Sequence, residues 1–165
     1  LTDLITQVRA AVRRTRQHHA VEHATLHMLA ARFPQRSFAG YSDPAGITLY
    51  GEVDAAALER AVGDALLRLQ AGETHLALHP NCGTNLVATA LLATVAGMVG
   101  NAGRGSRWLR FSNALVLVVV ALVVGKPFGL YLQRFTTLAD VADRWLVEVR
   151  PQPIGKRPLH RILFE

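Results

Sequence analysis

Cysteine occurs once in this chain, at Cys82, so no internal disulfide framework can form. Charge is scarce too: Asp, Glu, Lys and Arg make up 18% of the 165 residues, against about 25% in ordinary soluble domains. The shortage is local, because no acidic residue stands between Glu73 and Asp140. Aromatic residues are few, at 7%, and no basic helix is interleaved with stacking rings. The net charge of +6 and pI of 10.4 are therefore read as contact with anionic headgroups, with no nucleic acid as partner. Disorder is excluded by a hydrophobic content of 50%.

What the chain does have is two long apolar runs. Residues 86–102 and 112–132 approach the ~20-residue length that a bilayer-spanning helix needs. Leu1–Val12 lacks the continuous apolar core of a signal peptide. Two spans place both ends of the chain on one side of the membrane. Arg104, Arg107 and Arg110 in the connecting loop nearly balance Arg68, Arg134, Arg144 and Arg150 outside it, so charge does not set orientation. An unpaired cysteine inclines the assignment to termini in the cytoplasm.

The rest of the chain frames these runs. Residues 1–33 form an N-terminal helix, with Leu4, Ile5, Val8 and Val12 at helical spacing and Pro34 as the stop. Residues 40–81 read as a small β-α-β module: a strand over Ile47–Val53, a helix capped by Asp54 and closed by Gly72, and an alternating strand over Thr74–His79. Residues 82–133 hold the two transmembrane helices, with a kink or early end near Val124 at Gly125-Lys126-Pro127. Residues 134–165 form a C-terminal extension whose strands, Leu146–Arg150 and Leu159–Phe164, extend the same sheet. The fold class is an α+β membrane protein, with the histidine-bearing helix and the module at the membrane interface.

The chemistry centres on His19-Ala20-Val21-Glu22-His23. Residues four apart on a helix share a face, so His19 and His23 can hold one metal ion between them. Glu22 lies beside that face, within approach of a metal-bound water. The H-x-x-E-H spacing is the inverted zinc-hydrolase helix. The bland alternative is a histidine-rich amphipathic helix at a membrane surface, and His18 and His27 in the same helix speak for it. A second element, His79-Pro80-Asn81-Cys82-Gly83-Thr84, places His and Cys three apart in a turn leading into the first apolar run. Its own bland reading is a proline turn with a buried thiol. Together His19, His23, His79 and Cys82 make an N/S donor set suited to Zn²⁺, with other divalent transition metals as alternatives.

These motifs resemble an uncharacterised bacterial membrane family of predicted metal-dependent enzymes, the YqhQ-like proteins. Members carry H-G-A-E-H and later H-P-R-C-G-T leading into membrane helices. The likeness runs on through Pro127-Phe128-Gly129-Leu130-Tyr131-Leu132-Gln133 and Thr136-Thr137. A related set from photosynthetic bacteria shares the Ser42-Asp43-Pro44 turn. The resemblance matches His19, Glu22, His23, His79 and Cys82, and leaves out His18 and His27.

Two functions of different kinds follow. One is a membrane-embedded zinc-dependent hydrolase, a peptidase or metalloprotease acting on peptide or membrane-protein substrates, with Glu22 as catalytic base. The other is a non-catalytic zinc-stabilised subunit or assembly factor of a larger membrane complex or homo-oligomer. In both, the lipid bilayer is a partner. A haem or tetrapyrrole site is disfavoured, because no C-x-x-C-H occurs.

Overall fold

A computed structural model describes residues 2–152 and 158–165. The chain divides into two compact units: Leu1–His79 with Thr136–Glu165, and Pro80–Phe135.

The first unit is α+β. Helix α1 spans Thr2–Arg32 and ends where Phe33-Pro34 forbids further helical geometry. A hairpin follows, β1 (Ala39–Asp43) and β2 (Gly46–Tyr50), then α2 over Ala55–Gln70. Asp54 caps α2 by accepting from the Ala57 amide at 2.8 Å, and Gly72 just beyond its end takes a φ of +94°, which only glycine adopts readily. Strands β3 (Leu146–Pro151) and β4 (Leu159–Phe164) complete one antiparallel sheet in the order β1-β2-β4-β3. The core lies between α1, α2 and the sheet, where Leu29, Ile47, Leu49, Leu58, Val62, Val141 and Ile162 are fully buried.

The β-α-β expectation for residues 40–81 needs correction. The first strand belongs to a hairpin and stops at Tyr50, short of Val53. The alternating Thr74–His79 segment is no strand: Thr74–Ala77 is a 3₁₀ helix. Its two buried residues, Leu76 and Ala77, are adjacent rather than alternate, which suits a tight turn and not a pleat. The place beside β2 is taken instead by β4, paired from Gly46↔Leu163 to Tyr50↔Leu159.

The second unit is a helical hairpin of α3 (Gly83–Asn101) and α4 (Arg107–Thr136). Both are long and apolar enough to cross a membrane. The early end foreseen near Val124 does not occur, and α4 runs through Pro127 to Thr136. Proline forfeits one amide bond, but α4 is gripped on both sides of it. A Cβ on Gly125 would strike the Thr89 side chain, and one on Gly129 would lie 2.5 Å from the Asn85 Cα. One turn further, Gln133 donates to Asn85 Oδ1 at 2.7 Å, fully buried. Ala121, Gly125, Gly129 and Gln133 form a four-residue stripe of small and polar residues facing α3.

Candidate metal centre

Three histidines of α1 at successive four-residue steps, His19, His23 and His27, fall on one helix face. Each ring is pinned by a backbone carbonyl. His19 Nδ1 lies 3.1 Å from the Thr136 carbonyl, His23 Nδ1 2.7 Å from that of Ala77, and His27 Nε2 2.8 Å from that of Leu78. The 3₁₀ turn explains two of these contacts, because it aims consecutive carbonyls at α1. The third is supplied by the last residue of α4, whose carbonyl has no onward helical donor. Residues 136–143 are themselves laid along α1: Leu138 N donates to the Arg16 carbonyl, and Gln17 donates to the Asp140 carbonyl and to Asp143 Oδ1.

A carbonyl only accepts, so the nitrogen bonded to it carries the hydrogen. In neutral His19 and His23 this assigns the lone pair to Nε2, the form in which imidazole binds metals. His23 Nε2 is buried with no hydrogen-bond partner, on a residue only 1% exposed. Such an orphaned acceptor is costly unless something binds there. Ligand atoms of His19 and His23 come within 4.8 Å of one another, close enough to share one ion, and their ring centroids are 4.4 Å apart. These observations fit a metal such as zinc.

His79 joins the same row of rings, 5.7 Å from His23 and 4.9 Å from His27 between centroids. Burial, reinforced by repulsion from His23 and His27, pushes its pKa down to about 4. It is therefore neutral at physiological pH, as a ligand must be. Cys82 belongs to the second unit, where it caps α3 with Sγ accepting from the Thr84 amide at 3.4 Å. Only Pro80 and Asn81 stand between it and His79 in the chain.

Glu22 is 5% exposed and accepts from the Ser42 hydroxyl at 2.5 Å on Oε2. The absence of a side chain on Gly40 makes room for it, since a Cβ there would sit 3.2 Å from Glu22 Cγ and Cδ. The turn holding Ser42 is braced by Asp43, whose carboxylate takes the Ala45 and Gly46 amides and both arms of Arg161. That guanidinium holds the Asp43 carboxyl below its usual range. Ser42 and Gly40 were not singled out as site residues by sequence; the Ser42-Asp43-Pro44 turn in the resemblance was the available signal.

His18 is a core histidine. It donates from Nδ1 to the Asp43 carbonyl at 2.7 Å and stacks on Phe164 at 5.0 Å. Burial lowers its pKa.

The fold and site together define an α+β protein with a row of four histidines, of which His23 is buried and the others half-buried, and two apolar helices long enough to cross a membrane. Residues 14–149 match the model of a domain of unknown function, DUF6391, and the chain belongs to that family. It is also 35% identical to an uncharacterized protein of Picosynechococcus sp., over 82% of this chain and 71% of that relative. No solved structure matches.

Proposed function

We propose that this protein is a zinc-dependent hydrolase of a bacterial cytoplasmic membrane, with peptides or membrane proteins as substrates. The observation that carries the reading is the histidine pair. His19 and His23 have both Nδ1 atoms tied to backbone carbonyls, and His23 keeps an orphaned Nε2. Carbonyl-anchored imidazoles are how proteins orient metal ligands and set their tautomer. His79, in the same row of rings, and Cys82, three positions on in sequence, are the remaining donors of the set. The resemblance to YqhQ-like predicted metal-dependent enzymes supports the same assignment.

Zinc bound there supplies Lewis acidity, polarising a carbonyl and lowering the pKa of water. His19 and His23 would hold it, Glu22 would take a proton from water, and Ser42 would orient the carboxylate. A catalytic site keeps one coordination position open, so three protein ligands accompany hydrolysis and four accompany a structural site.

The membrane part of the reading is supported by the inverted pattern of the hairpin. It turns Leu86 and Val123 outward, 73% and 72% exposed, while burying Asn85 and Gln133. Small and polar residues between helices with apolar residues outside is the packing expected in lipid.

The Ser42–Glu22 bond favours a second reading, in which Glu22 is a structural tie and the protein a zinc-stabilised subunit of a membrane complex. Zinc analysis of wild type, His19→Ala, His23→Ala and Glu22→Gln tests both. One zinc per chain, lost in either histidine variant, is expected. Glu22→Gln should keep the metal and lower peptide hydrolysis by roughly 10²–10⁴-fold, the usual share of a general base. Metal-free, well-folded wild type refutes the metal centre. Metal loss in Glu22→Gln, with no wild-type turnover, establishes the structural reading.

A further inference from the structure

Helix α1 does two different things along its length. Between Gln17 and Leu29 it is packed into the core, whereas residues 2–10 and 12–14 are exposed. The exposed half is not uniformly polar. Leu4, Ile5, Val8 and Val12 form one stripe, each about half exposed or more. On a helical projection of 100° per residue, Arg9 and Arg16 flank this stripe on one side and Arg14 on the other. Asp3 is the only acidic residue before Glu22. Arg9 and Arg14 make no ion pair among the described residues, while Arg13 faces Asp140 and Asp143.

We propose that residues 2–16 form an arm that lies flat on a bilayer rich in anionic headgroups. Its apolar stripe enters the acyl boundary, and the exposed Arg9 and Arg14 reach up to lipid phosphates. The inference rests on the membrane reading of the hairpin, which tethers the first unit covalently to a bilayer. Charge selects this occupant over a second copy of the chain. Two arms face to face would oppose arginine to arginine, in a protein whose net charge is already +6. A coiled-coil seam through Ile5, Val8 and Val12 also breaks at Thr15, too soon for the three or four heptads such pairing requires. The packed half of α1 nucleates the arm, so no isolated helix has to form on the membrane.

The test uses the full chain in lipid nanodiscs at one chain per disc. The discs are of phosphatidylcholine alone or of an equal mixture with phosphatidylglycerol, and amide hydrogen exchange is read in α1, α3 and α4. In the mixed discs, amides of residues 2–16 should exchange roughly tenfold slower or more, with the protection weakened by salt. Val8→Glu and the pair Arg9→Glu with Arg14→Glu, all on exposed positions, should each abolish the slowing. Equal exchange of the arm in both discs, with α3 and α4 protected, overturns the arm and leaves the membrane reading standing. Unprotected α3 and α4 in both discs overturn the two together. Slowing found only in detergent samples with several chains per micelle assigns the stripe to a second copy and overturns the lipid surface.

Discussion

At the residue scale, the side chains that matter are held by backbone atoms and by missing side chains as much as by one another. Glu22 is the clearest case. Its carboxylate is bonded to Ser42, and the residue is buried against Gly40, where a Cβ would crowd it at 3.2 Å. Hydrogen bonds to charged groups contribute roughly 1.5–3 kcal/mol, and removing one partner strands the other. Ser42→Ala should therefore destabilise the protein by about that amount, and Ser42→Thr by much less. Thermal melts of the two variants check this; equal melting temperatures would show that the bond holds nothing. That His19 and His23 share one helix face with Glu22 next to them in sequence was legible from helical spacing. Its partner was not, because Ser42 lies on a strand edge whose register no local pattern specifies.

At the scale of elements, α3 and α4 hold each other by close approach rather than by apolar burial. Gly129 meets the Asn85 backbone, Gly125 meets Thr89, and a Cβ on Gly100 would collide with Ala114. Overpacking such a seam usually costs about 1–3 kcal/mol, and a backbone neighbour cannot swing aside. Gly129→Leu should loosen the hairpin by at least that range, while Leu86→Ala, on the outer face, should change little. Denaturant unfolding of each variant in detergent micelles measures both. An unaltered Gly129→Leu midpoint would contradict the packing. In sequence, Gly125-Lys126-Pro127 reads as an interruption, since proline's local effect is to break helices. The tertiary contact reverses that, because the glycines that lower helix propensity are the ones that let α3 in.

For the whole molecule, the two units have opposite polarity, one with an apolar interior and the other with an apolar exterior. The first unit also stores neutral histidines. Burial pushes His79 to about 4 and lowers His18 and His160 as well. Each folded value lies below the ordinary 6.5, so the unfolded chain binds more protons between the two values. Stability from these groups is complete above pH 6.5 and is lost as pH falls toward 4. Chelator-treated protein should thus show a falling denaturant midpoint from pH 7 to pH 4.5, with a shallower slope in His79→Gln. A flat profile would mean that these rings stay solvated.

The sequence by itself determined the helices, the capped end of α2, the apolar lengths that suit a bilayer, and the spacing that puts His19 and His23 on one face. All of these depend on near neighbours in the chain: periodicity, capping and proline stereochemistry act over a few residues. Only the tertiary structure decided that Thr74–Ala77 turns rather than pairs, that β4 and not that segment completes the sheet beside β2, and that α4 survives Pro127. It also decided which carbonyls meet the histidine rings and which hydroxyl meets Glu22. Those outcomes join residues 20 to more than 100 positions apart, where the competition is between whole packing arrangements and no local preference can settle it.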